Sequence, residues 1–149
     1  MCLTVAVQAQ DSGAVEPPHN RPTRAIGLAG GVSTGAGFSY RYWPGKSGIQ
    51  INFIPFFNDS NTTVALGGAY LHRIIEGNYV NLYGYVGAGL FYESDDTDYS
   101  IFNIGGGPAF EWLIRDVVSI NAMFGLGLQD LSRETRLGPT GEVGVYYAF

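Results

Sequence analysis

Cysteine is almost missing from this chain of 149 residues: Cys2 stands alone, which excludes a disulfide framework. Charge is scarce too. Asp, Glu, Lys and Arg make up 14% of the residues, against roughly 25% in ordinary soluble domains. The eight Lys and Arg are scattered and the net charge is −5, so the basic stripe that a nucleic-acid partner requires is lacking. No stretch reaches the roughly 18 consecutive apolar residues of a membrane-crossing helix. What is abundant is glycine, with 22 residues, together with 10 Tyr and 9 Phe. An apolar fraction of 46% excludes a disordered chain. With so few charges, something other than water is expected to face much of the surface.

The start, Met1 to Ala9, has the composition of the last part of a secretory signal, with small residues at Val7 and Ala9 before a cut ahead of Gln10. It lacks a charged leading region, and an ordinary chain terminus is the alternative. A cut there would remove Cys2. Residues 10–23 are polar and contain three prolines, the composition of a flexible linker.

From Arg24 onward the pattern changes to strict alternation of period two, the signature of strands with two unlike faces. Eight segments follow, at about 24–33, 35–43, 48–57, 62–74, 79–92, 99–114, 117–129 and 139–149. One face carries residues such as Ile26, Phe38, Ile51, Leu66, Val86, Ile104, Ile120 and Val145. The other carries glycines, Asn, Gln, Ser and Thr, and the charges Arg41, Arg73, Glu111 and Glu142. The connections are too short for crossover helices, so the prediction is an all-β, eight-stranded antiparallel up-and-down barrel over residues 24–149.

Such a barrel could be soluble, closing around its apolar face, or membrane-spanning, closing around its polar face. The mid-strand charges decide. They lie on the small and polar side, whereas the apolar side is read as carrying no Asp, Glu, Lys or Arg within the eight segments and only His72, close to a turn, as a titratable group. That is the arrangement of a barrel with lipid outside. Closure also satisfies every backbone amide within the hydrocarbon. Aromatic residues recur at segment ends, at Tyr42, Trp43, Phe56, Phe91, Tyr92, Phe102 and Trp112 among others, where girdles form at the membrane boundary. The connections after segments two, four and six are short. Two of those on the other side, the acidic stretch 93–98 and the stretch 130–137, are the longest, which places them outside and the linker in the periplasm.

The ending EVGVYYAF, with Val143, Val145, Tyr147 and Phe149 at alternate positions, and the alternation over residues 24–149 together resemble the small OmpA/OmpX-type outer-membrane barrels, a porin-like outer-membrane β-barrel domain. The resemblance implies residence in the outer membrane of a Gram-negative-type bacterium. It also implies contact with outer-membrane lipid, a C-terminal signal read by the barrel-assembly machinery, and no cofactor. A monomer is expected.

Arg41, Arg73 and Glu111 should point inward at similar depth. Either they form an ion-pair cluster plugging the periplasmic half of the lumen, the preferred expectation, or each is hydrated separately. Glu142, nearer the outer end, is left without a partner or beside Gln129. Tyr83, Tyr85 and Tyr146 are expected to fill a narrow lumen against inward glycines. Asp95, Asp96 and Asp98 could bind calcium, but without the glycine and bidentate glutamate of an EF-hand loop they read as a solvated surface loop. Some barrels of this size act on lipid acyl chains through a Ser–His pair. Here the histidines are His19 in the linker and His72 on the lipid side, with no serine at a clear partner position, so no enzyme is expected. The stretch GGGPAF at 105–110 lacks a lysine and lies within a strand, so it is not a phosphate loop. The expected role is structural or surface interaction. The alternatives are a soluble calycin-like carrier of a small apolar ligand, or a small solute channel.

Overall fold

The structure, a computed structural model, describes residues 22–57, 62–94, 98–115 and 117–149; the side chains of residues 55–63 and 93–99 lie outside that description. Eight strands are present: β1 (Arg24–Gly31), β2 (Gly35–Tyr42), β3 (Ser47–Phe57), β4 (Thr62–Glu76), β5 (Val80–Ser94), β6 (Asp98–Ile114), β7 (Val118–Gln129) and β8 (Arg136–Ala148). Each pairs antiparallel with its sequence neighbours, and β8 returns to β1 from Ala25↔Ala148 to Gly31↔Glu142, closing the barrel. Closure leaves no full-length sheet edge, so the wall supplies its own hydrogen bonds.

The two faces of the wall are oriented as alternation and charge require. Leu66, Val86, Ile120 and Val145 are 49%, 66%, 37% and 51% exposed, whereas Arg41, Glu111 and Glu142 are 0%, 7% and 2% exposed. A soluble barrel would invert this, because an outer wall of Leu, Val, Ile and Phe facing water gives up the hydrophobic gain that drives folding. The calycin-like alternative is thereby removed. The apolar face is not free of charge as expected: Arg24, the first residue of β1, lies on it at the rim, with its guanidinium 6.0 Å from the Tyr42 ring centre, where a cation can reach water. A β-bulge between Arg73 and Ile75 lets Ile74 and Ile75 both face outward, at 63% and 57% exposure, and returns Glu76 to the inner face opposite Asn81.

Several boundaries differ from the sequence reading, and three of them change the connections. The first strand ends at Gly31, and Val32 to Thr34 form a turn. The acidic stretch is not a long loop, because Ser94 pairs with Asp98 and only residues 95–97 connect β5 to β6. The last strand begins at Arg136, leaving 130–135 as the connection. Polar residues extend an antiparallel ladder readily when both of their faces meet water, so a run of charge does not mark a strand end there.

The wall is uneven in height. β1 and β2 have 8 residues each, whereas β4 and β5 have 15 and β6 has 17. The inner face can be followed row by row across the tall strands. One row is Asn52, Gly67, Gly89 and Asn103, and the next row outward is Ile54, Ala65, Phe91 and Ile101.

Candidate functional site in the barrel lumen

Arg41 is the centre of the lumen. It sits on β2 opposite Gln50, whose Oε1 accepts a hydrogen bond of 2.7 Å from its Nε. Its guanidinium lies between two carboxylates, Glu111 at 3.5 Å and Glu142 at 3.7 Å, and stacks 3.7 Å above the centre of the Tyr146 ring. A buried cation is tolerable only when it is paired and bonded, and here β3, β6 and β8 each supply a partner.

Each carboxylate is bonded in turn. Glu111 accepts from Asn81 Nδ2 at 2.9 Å and from Ser119 Oγ at 3.0 Å. Glu142 accepts from Gln50 Nε2 at 2.8 Å, from Asn52 Nδ2 at 2.9 Å, and from the hydroxyl of Thr34. Both oxygens of each acid are thus bonded within the protein, which makes the network a cross-link of six strands.

The sequence brings Arg41 and Glu111 to comparable depth, and the structure places them together. Arg73 is placed elsewhere. It pairs with Glu76 at 3.0 Å near the inner turn and lies 4.4 Å from the Trp43 ring centre, because a nearer carboxylate is available three residues along β4. Glu142 is not the isolated acid expected. Its strand pairing opposite Gly31 aims it across the lumen at Arg41, and Gln129 bonds the Pro139 carbonyl instead, at 2.9 Å. Trp43 does not belong to an outer girdle. It is 7% exposed, folded inward over Gly48 and packed edge-on to Tyr83 at 5.7 Å. Phe91 likewise lies on the inner face, in the row of Ile54 and Ile101. Tyr42, Phe102 and Trp112 are outward at 36%, 37% and 45% exposure, Tyr92 is half-buried, and the Phe56 side chain lies outside the described residues. Tyr83, Tyr85 and Tyr146 are buried in the lumen.

The first hairpin is the part that sequence reasoning missed. Its turn folds into the lumen: Ser33 and Thr34 are 0% and 1% exposed. Asn103 Nδ2 donates to the Val32 carbonyl at 2.8 Å, Asn52 Nδ2 donates to the Thr34 carbonyl at 2.9 Å, and Ser33 Oγ lies 2.5 Å from Thr140 Oγ1. The floor beneath the tip is glycine. A Cβ on Gly67 would stand 2.1 Å from the Thr34 carbonyl oxygen, and one on Gly105 would stand 2.6 Å from Ser33 Oγ. Gly67 makes room for the backbone of the hairpin and Gly105 for the Ser33 side chain, whereas Gly27 and Gly144 make room for Tyr146. The Asn-Gly-Gly-Asn row is therefore a cradle, glycine where the tip lies and asparagine where its carbonyls emerge. An inward glycine at equal height on neighbouring strands was the available signal, but it required the register to be known.

A serine does stand beside His72. Ser47 pairs with it across β3 and β4, with Oγ 3.3 Å from Nδ1, and also lies 2.7 Å from the Tyr70 hydroxyl. The sequence reading began the third segment at Gly48 and so left Ser47 in the turn. The pair is on the outer wall, and among the described residues no carboxylate bonds His72. Among them, too, no group of three or more His, Cys, Asp or Glu could hold a metal ion. Asp95 and Asp96, and the side chain of Asp98, lie outside the described residues, as do residues 1–21.

A closed barrel of eight antiparallel strands with an apolar outer wall and a polar lumen has the fold of the small outer-membrane β-barrels. The N-terminal β-barrel domain of Pseudomonas aeruginosa OprF superposes with a TM-score of 0.56 at 12% identity, covering 85% of this chain and 98% of that one. Neisserial surface protein A gives 0.51 at 15% identity, covering 85% and 94%. Likeness at these identities is likeness of fold. No family model matches the chain, and no curated protein matches its sequence.

Proposed function

We propose that the chain is a non-enzymatic outer-membrane protein of a Gram-negative-type bacterium, with a structural or surface-interaction role carried by its wall and outer connections. The supporting observation is that the lumen is occupied. Arg41, Gln50, Asn52, Tyr83, Asn81, Asn121 and Tyr146 are each no more than 1% exposed, and the first hairpin lies above them. These buried side chains, bonded to one another, fill the middle of the lumen, which argues against the small-channel reading. Catalysis by Ser47 and His72 is disfavoured because a serine nucleophile needs its histidine oriented by a third group, and none is bonded to it among the described residues.

In this reading the apolar wall contacts outer-membrane lipid, the protein is a monomer, and Val143, Val145, Tyr147 and Phe149 are read by the barrel-assembly machinery. The four are exposed on the outer face at 63%, 51%, 53% and 55%. Membrane fractionation with heat-modifiable gel mobility, followed by planar-bilayer recording, tests the proposal. Outer-membrane recovery without unitary conductance is expected, and a steady open level would overturn the sealed lumen.

A further inference from the structure

The wall is too low where β1 and β2 stand. Eight residues rising about 3.3 Å each and tilted by about 40° climb about 20 Å, whereas the apolar band of such barrels is about 25 Å tall. Above these two strands, β3 has no partner on that side beyond Phe53, and β8 has none beyond Glu142 except the turn bond from Val32 N to the Gly141 carbonyl at 3.1 Å. Among the described residues this is a lateral notch two strands wide, on the order of 10 Å at the usual strand spacing. Its outer sill is apolar, with Leu28, Val32 and Phe38 exposed at 61%, 44% and 71%.

Behind the notch the inner wall changes character. Below the row of Asn52 and Asn103 it mixes the Arg41 network with a buried apolar cluster that includes Trp43, Leu71, Ala109 and Met123, and both asparagines of that row are consumed in holding the hairpin tip. One row further out it becomes Ile54, Ala65, Phe91 and Ile101, aligned side by side on β3, β4, β5 and β6. Ala65 is buried and the other three are half-buried. Ile54 leans over the end of β2, where a Cβ on Gly37 would meet its Cβ at 2.4 Å. Ordered water needs two or more polar partners, and this row offers no polar side chain.

We infer that the notch admits one acyl chain of a membrane lipid from the leaflet on the hairpin side, which lies over the sill and against Ile54, Ala65, Phe91 and Ile101. The occupant follows from continuity. The sill is part of the lipid-facing wall, and Ile54 adjoins it at Gly37, next to the exposed Phe38, so apolar side chains lead from the bilayer to the inner row. An acyl chain covers that row without stranding a polar side chain, since the row has none. The hairpin tip is the floor that keeps the chain from the Arg41 network. This inference rests on the membrane-barrel reading.

Tryptophan quenching by lipids brominated on the upper acyl chain separates the two. The full chain is refolded into phosphatidylcholine vesicles with and without the brominated lipid, in four forms: native, Trp112→Phe, and Trp112→Phe combined with either Phe91→Trp or Ile101→Trp. Native protein should be quenched through the outward Trp112, and Trp112→Phe, which keeps only the lumenal Trp43, should not. Both inner-row tryptophans should lose a fraction of their emission comparable to that lost by Trp112. Inner-row tryptophans that ignore the brominated lipid but are quenched by iodide, in vesicles that do quench native protein, would overturn the acyl site. Failure to quench native protein would overturn the membrane wall, and the acyl site with it. Having two inner-row positions keeps the test decisive if one variant does not fold.

Discussion

The hydroxyl of Thr34, at the tip of the first hairpin, donates to the carboxylate of Glu142 on the last strand, 108 residues away. The same carboxylate faces Arg41 at 3.7 Å. One acid thus ties the hairpin in the lumen to the central cation, and the strength of both depends on it.

Replacing Glu142 by Gln should therefore destabilise the barrel by about 3 kcal/mol, since removing one partner of a buried pair leaves an uncompensated charge. Arg73→Ala should cost less than about 1 kcal/mol, because the Arg73–Glu76 pair lies partly exposed at the rim. Urea titrations in lipid vesicles, read from the folded and unfolded bands, check the ordering. Equal losses for the two variants would place the central network no deeper in the energetics than the rim.

Gly67→Ala should cost about 1–3 kcal/mol by overpacking, because the added carbon meets the Thr34 backbone and no flexible side chain can give way. Gly45→Ala is the control, since a Cβ there has nothing within 4 Å. The same unfolding titration measures both, and a neutral Gly67→Ala would mean that the hairpin tip does not rest on the cradle.

Val86→Arg places a charge midway along β5 on the lipid face and should cost about 2–4 kcal/mol, whereas Tyr79→Arg, at the turn before that strand, should cost at most about 1 kcal/mol. The gradient with depth is the diagnostic. In detergent micelles, which adapt to an added charge, the difference should shrink.

Phe149→Ala should reduce the amount of folded protein recovered from cells while leaving unassisted refolding into vesicles nearly unchanged. Phe149 closes the ladder with one hydrogen bond from its amide to the Arg24 carbonyl at 2.9 Å, a contact made by backbone alone. Parallel losses in the two assays would make the residue a structural one and remove its role in assembly.

How much of this was legible beforehand varies by residue. Val86 and Val145 could be placed toward lipid because period two sends each side chain to a definite face, and the charges at Arg41 and Glu111 named the other face. Ser47 was lost to a boundary one residue off, and with it the contact to His72. Trp43 and Phe91 were misplaced for a different reason: an aromatic near a segment end satisfies a girdle and a lumen equally well, and only the parity of its strand and the bare Gly48 beneath Trp43 separate them.

The sequence alone determined the number of strands, their antiparallel order and which side of the wall meets lipid, because alternation and loop length are local properties of the chain. The tertiary structure alone decided that Glu142 answers Arg41, that Arg73 turns to Glu76, and that a hairpin lies on Gly67 and Gly105. Those facts depend on the stagger between strands. Stagger sets which residues share a height in the cylinder, and it is fixed only when the last strand pairs with the first.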